Sequence, residues 1–223
     1  PANRKVTTVA ENYVWRHHGE WWDTYEYREK PIFGELEEDE FELFVMLSQY
    51  MQAEGIRYAV EANRRRAWRN CGSIIWQFNE PWPNVSCTCL VDYYMQPKFA
   101  YWFFRDALKG FHISMRYDKL VWKEGEVFEG MPFVHDDTRE DARGGDDCRV
   151  TINILDCNKN KVATFDGKFE WKIEGVGRVF YVECNVTDGE RCDTNTYMFF
   201  VTDENNPYAD RQAVVDFIAE YKK

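Results

Sequence analysis

No stretch of this 223-residue chain strings together the ~20 apolar residues that a membrane-spanning helix needs, so a membrane partner is not expected. Excess basic charge is missing too. The 28 Lys and Arg stand against 39 Asp and Glu, a net charge of −11. Such a chain repels phosphate backbones, which argues against nucleic acid as a partner. There is no Gly-rich phosphate loop, no Ser/His/Asp constellation and no spaced set of metal ligands. The tightest cysteine pair, Cys87-Thr88-Cys89, is too close for the usual zinc spacing and has no second pair nearby. The seven cysteines are scattered and odd in number, and they read as reduced thiols, buried or half-buried. Neither a cofactor nor a metal is implied. The Pro-Ala-Asn start lacks an initiator Met and a signal-peptide pattern, which suggests a processed chain or a fragment. Internal repeats and low-complexity tracts are also absent.

What the chain has in quantity is aromatic surface. Nine Trp, thirteen Tyr and sixteen Phe make up 17% of it, enough both to fill a core and to stack on flat apolar ligand faces. Residues 1–38 show no clear period but carry Trp15, His17, His18, Trp21, Trp22, Tyr25 and Tyr27, ahead of the acidic run Glu35 to Glu40. They read as a long loop with short helical pieces, whose aromatics must be buried or used for binding.

A long helix follows. Phe41, Phe44, Val45, Ser48, Met51, Gly55, Ala59 and Ala62 recur at helical spacing and predict its buried stripe. The run Arg64-Arg65-Arg66 with Arg69 suits a helix C-terminus and is expected to be a solvated end rather than an anion site. Residues 73–80 read as a short buried parallel strand that Pro81 and Pro83 stop. A second helix is expected from about Pro97 to Leu108. A single buried strand cannot make a sheet, so its partners must lie elsewhere.

From Gly110 the character changes. Six alternating segments, 112–117, 126–135, 148–155, 161–171, 178–186 and 196–202, run to about Asp203, with turn signals at Glu124-Gly125, Gly144-Gly145, Asn158-Lys159-Asn160, Asp166-Gly167 and Asp188-Gly189 separating or interrupting them. This spacing predicts an antiparallel β-sandwich of immunoglobulin type over 110–203. Residues 204–223 read as a linker and a short helix. The fold class is therefore α/β plus all-β.

The stretch from Gly72 to Arg105 resembles the end of the catalytic barrel in family 2 glycoside hydrolases, of the β-mannosidase and β-galactosidase-like branch. Members show Trp-Gln-x-Asn-Asp-x-Trp-Pro on the last barrel strand, then Asp-Tyr-Tyr, a Lys and an aromatic helix. Here the order is Trp76-Gln77-Phe78-Asn79-Glu80-Pro81-Trp82-Pro83, then Asp92-Tyr93-Tyr94, Lys98 and Tyr101-Trp102-Phe103. Glu80 stands where the branch usually has Asp. The resemblance implies that residues 1–109 are the C-terminal piece of a (β/α)8 barrel, ahead of the sandwich. It also implies that both catalytic glutamates lie upstream; no Ser-Glu-Phe-Gly or close variant occurs in this chain.

On this footing Trp76 is expected to stack on a sugar, with Asn79 and Glu80 bonding its hydroxyls. Trp82 would either line the subsite or wedge the Pro-rich turn, and His17, His18, Trp21 and Trp22 would wall the subsite. The expected partners are carbohydrate and the missing barrel and sandwich domains of a parent chain, with a homo-oligomer possible in principle. The expected function is a non-catalytic part of a retaining exo-β-glycosidase, β-mannoside first among its substrates. Two rivals stay open. One is a carbohydrate-binding or interaction module, betrayed by an exposed aromatic row on the sandwich that includes Trp122 and Trp171. The other makes Glu80 the acid/base of a small hydrolase, which needs a second carboxylate within reach.

Overall fold

The computed structural model describes residues 25–83 and 88–221. They divide into two compact units. One takes the chain up to Arg57, Ile74–Phe104 and the end from Asp210; the other takes Tyr58–Ser73 and Arg105–Ala209.

The first unit is helical. A π-helical turn, Tyr25–Glu29, runs into the short helix α1 (Lys30–Phe33), and the long α2 (Phe41–Arg64) begins in this unit. Helices α3 (Phe99–Ala107) and α4 (Arg211–Tyr221) complete the set. The core is aromatic: Phe217 of α4 meets Tyr50 edge-on at 6.2 Å and Phe103 at 6.2 Å, while Phe99 and Phe103 lie 4.7 Å apart. Arg211 ties α4 down, donating to the Phe33 carbonyl at 2.7 Å and pairing with Glu40 at 3.6 Å.

Helix α2 forms where its periodicity predicts but shows a different face. Phe44, Leu47, Tyr50, Ala53, Glu54, Arg57, Val60 and Glu61 are buried, whereas Gly55 and Ala59 are exposed. The helix is rotated because its buried charges have partners distant in sequence or on the next turn. Arg57 pairs with Glu54 at 2.6 Å and lies 4.2 Å over the Phe103 ring. An apolar-stripe reading discards charged positions, so it missed this face.

The segment expected as a buried strand is also different. Residues 74–80 form no strand; Asn79 makes a single bridge to Val91, and Ile74, Trp76 and Phe78 are exposed. A parallel strand needs ladder partners at its edges and cover on both faces, and no described residue supplies either.

The second unit is a two-sheet, sandwich-like β structure. Its strands are β1 (Phe111–Arg116), β2 (Val121–Lys123), β3 (Val127–Asp136), β4 (Arg149–Leu155), β5 (Lys161–Phe165), β6 (Phe169–Lys172), β7 (Val179–Thr187) and β8 (Cys192–Thr202). One sheet has the order β1-β3-β6 and the other β2-β8-β7-β4-β5. The second sheet is mixed rather than wholly antiparallel, because β2 runs parallel to β8. The expected segment 161–171 is two strands in different sheets, broken at Asp166-Gly167, where Gly167 has φ +105°. Phe128, Phe169, Phe180 and Phe199 meet in the core between the sheets.

A polar cluster is buried in this unit. His112 lies between Asp193 (Nδ1 to Oδ2, 2.8 Å) and Glu61 (Nε2 to Oε1, 3.4 Å). Glu61 also accepts from the Tyr197 hydroxyl at 2.7 Å and from Asn195 at 2.9 Å, and Lys109 reaches Asp193 at 2.7 Å. Burial alone would lower the His112 pKa, but the bonds to Asp193 and Glu61 outweigh it and raise it.

The thiols depart partly from expectation. Cys89 and Cys184 are buried and Cys148 half-buried, but Cys71, Cys157 and Cys192 are exposed. No helix among the described residues is long and apolar enough to cross a membrane.

Candidate functional site

Large exposed side chains of the first unit gather between Ile74 and Met95. Ile74 is fully exposed and Trp76 is 82% exposed; Phe78, Trp82, Tyr93, Tyr94 and Met95 are exposed as well. Isolated apolar residues at a surface are ordinary, but so dense a set marks a face meant for a ligand or another surface.

Backbone bonds hold this segment without making it a strand. The Leu90 N–H is shared by the Gln77 and Phe78 carbonyls at 3.2 and 3.1 Å, and Glu80 N–H donates to Val91 at 3.2 Å. Lys98 N–H donates to Leu90 at 2.8 Å, and Phe99 N–H to the Gln49 side chain at 3.3 Å. Asp92 accepts the Gln96 N–H at 2.8 Å, closing the turn that carries Tyr93 and Tyr94, which meet edge to face at 5.3 Å. The Trp76 carbonyl accepts the Thr88 hydroxyl at 2.8 Å, and the peptide bond from Trp76 to Gln77 is cis. With its backbone so engaged, the Trp76 indole is the part left outside.

Glu80 has the opposite character and is only 5% exposed. Its Oε1 is 3.5 Å from Gln77 Nε2, and its Oε2 has no hydrogen-bond partner among the described residues. Cys89 is its neighbour: burial pushes the thiol up, Lys98 draws it down and the Glu80 carboxylate pushes it up again. A buried carboxylate oxygen without a donor costs about 1–3 kcal/mol or more. A hydroxyl-bearing ligand would supply the missing donor. Trp76, Asn79, Glu80 and Trp82 thus share one stretch, an exposed aromatic plate beside an under-bonded acid.

His17, His18, Trp21 and Trp22 lie outside the described residues. Asp92, through its carboxylate, and Lys98, through its backbone N–H, anchor the loop before α3. One perturbed group escaped the sequence reading. Glu29 is buried, its Oε2 has no partner among the described residues, and burial pushes its pKa up to about 7 against the pull of its own backbone and of Arg28. Nothing in the aperiodic run around it signals burial. Carboxyls so displaced gather at functional sites, but structural positions displace them too.

No family model matches the chain. Among curated proteins it is 30% identical over 126 residues to β-mannosidase B of Emericella nidulans, covering 52% of this chain and 15% of that protein. It is 33% identical over 87 residues to β-mannosidase B of Aspergillus flavus, covering 37% of this chain and 10% of that one. The chain thus spans only a small part of the relatives it matches. Among solved structures, a β-D-mannosidase from Dictyoglomus thermophilum superposes with a TM-score of 0.55 at 21% identity, covering 83% of this chain and 23% of that one. An exo-chitosanase from Amycolatopsis orientalis gives 0.54 at 15% identity, with 80% and 22% covered. In sequence and in fold, the chain resembles a part of a β-mannosidase-like glycoside hydrolase of family 2.

Proposed function

We propose that this chain is one part of a retaining exo-β-glycosidase acting on terminal β-linked sugars, β-mannosides first among them. It supplies a wall of the sugar site, while both catalytic carboxylates lie elsewhere in a longer protein. The observation that carries this reading is the block from Trp76 to Pro83, in which an exposed indole stands near a buried, under-bonded Glu80. An indole face stacks on the C–H groups of a sugar ring, and a buried carboxylate accepts from its hydroxyls.

In this reading residues 1–109 complete a (β/α)8 barrel. The unpaired segment 74–80 is then its last strand, with ladder partners and cover in the rest of that barrel. The β unit is the immunoglobulin-like sandwich that follows. Retaining hydrolysis uses two carboxyls about 5 Å apart. The polar groups against Glu80 are an amide and a thiol, which supports a binding role for it.

The β unit gives less support to a separate carbohydrate-binding module. Trp122 is buried, its indole donating to the Lys119 carbonyl at 3.0 Å, and Trp171 packs against the core. Neither belongs to an exposed row.

The test is hydrolysis of a panel of nitrophenyl β-glycosides by the purified chain and by its Glu80→Gln variant. No turnover is expected from either. Turnover lost in the variant would make Glu80 the acid/base and overturn the reading. Turnover kept in both would mean that the chain holds its own catalytic pair.

A further inference from the structure

The basic run at the end of α2 divides: Arg66 and Arg69 are exposed as the sequence suggests, whereas Arg64 and Arg65 are half-buried. Arg64 turns inward, donating to the carbonyls of Ala107 and Lys109 at 2.8 Å each and to Asp137 at 2.9 Å. Arg65 donates to the Ser114 hydroxyl at 3.2 Å and lies 5.6 Å over the Phe133 ring. Both reach a cavity of about 360 Å³ within the β unit, opposite the loop that follows β3.

That loop folds back along β3. Gly144 N–H donates to Val134 at 3.1 Å, and His135 is bridged to Arg143. The approach is so close that a Cβ on Gly144 would run into Val134, so the position needs glycine. The fold-back puts Arg143 on the cavity wall as a third guanidinium. Its side chain has no hydrogen-bond or ion-pair partner among the described residues.

Three arginines therefore line one cavity, and no carboxylate does, in a chain of net charge −11. The cavity wall also holds buried His135, whose Nε2 is 2.7 Å from the Ser114 hydroxyl. Burial, then Arg64, His112 and Arg65, push its pKa down to about 3, so the imidazole is neutral. Arg64 is paired with Asp137 at 2.9 Å and Arg65 with Glu61 at 3.9 Å, which leaves Arg143 as the guanidinium of the three without a counter-charge among the described residues. Pro132, Phe133, Val134 and Val150 supply an apolar side. Guanidinium groups present paired N–H donors that match the oxygens of phosphate and carboxylate.

We propose that this cavity binds a small oxyanion group, phosphate or carboxylate, held by Arg143 together with the inward-turned Arg64 and Arg65. The site lies wholly in the β unit and does not depend on the sugar-wall reading.

The test is NMR titration of the full chain with inorganic phosphate and, separately, with acetate. Sodium chloride at matched ionic strength is the control, and the Arg143 Nε–H and His135 ring signals are followed. Saturating shifts are expected with at least one oxyanion and not with chloride. In Arg143→Gln the His135 shift should need about ten-fold more anion or greater, the usual effect of losing one charge-assisted contact. The Arg143 side chain bonds to nothing else among the described residues, so this variant should keep its Tm. Shifts with phosphate alone would assign a phosphate-bearing ligand, and shifts with acetate as well a general oxyanion site. No saturable shift with either ion, or a His135 response unchanged in Arg143→Gln, would overturn the proposal.

Discussion

His112 is a residue on which burial and neighbouring charge pull in opposite directions. It is 1% exposed, and both ring nitrogens meet carboxylates, so the charged form prevails and its pKa is raised. The sign for stability follows directly. A raised folded pKa contributes stability fully below the unfolded value of about 6.5, and that contribution is lost as pH rises through the folded value. His112→Ala is therefore expected to cost about 3–5 kcal/mol at pH 6, because it leaves two buried carboxylates short of their partner. The loss should shrink as pH rises through the raised folded value and the wild-type ring gives up its charge; urea denaturation at pH 6 and at a series of higher pH values checks this. At this scale the candidate site was partly legible. Trp76 and Glu80 announce themselves through a motif of fixed order, whereas Glu29, Arg64 and Arg143 do not. Their roles come from burial and from neighbours far along the chain, such as Asp137 beside Arg64.

Among the elements, the β-strands were the most legible, because alternation of period two survives in a half-buried sheet. β2 was missed: three residues are too few to show a period. Segment 161–171 read as one strand because the residues on both sides of Asp166-Gly167 alternate alike, although they belong to different sheets. Helix α2 was placed well along the chain but misread in its face, and residues 74–80 look like a strand whose ladder partners are not among the described residues. The terminal helix was expected, but not what it holds. Phe217 of α4 meets Tyr50, Phe99, Phe103 and Tyr221 in the aromatic core. Phe217→Ala is expected to destabilise the chain by about 3–5 kcal/mol, since a core phenyl leaves a cavity that helices cannot close. Thermal or urea unfolding followed by far-ultraviolet circular dichroism would register the loss.

For the molecule as a whole, two surface properties compete. A net charge of −11 keeps copies apart, while the exposed set Ile74, Trp76 and Phe78 draws them together. Salt screens the first and leaves the second, with a Debye length near 10 Å at about 0.1 M. Association that grows with protein concentration and with added salt is therefore expected in sedimentation velocity. The triple variant Ile74→Ser, Trp76→Ser, Phe78→Ser should remain monomeric under the same conditions. A wild-type chain that stays monomeric throughout would mean that this face is too polar or too small to pair.

The bond from Arg211 to the Phe33 carbonyl spans 178 residues of chain. On a ribosome adding about 5–20 residues per second, α4 emerges roughly 10–35 s after the segment it must grip. Strands β1 to β8 are all synthesised in that interval and can pair while Tyr50, Phe99 and Phe103 still wait for Phe217. The helical part is thus closed by a helix made after every strand of the β unit, and in the cell its bare aromatic core is a natural hold for a chaperone during translation.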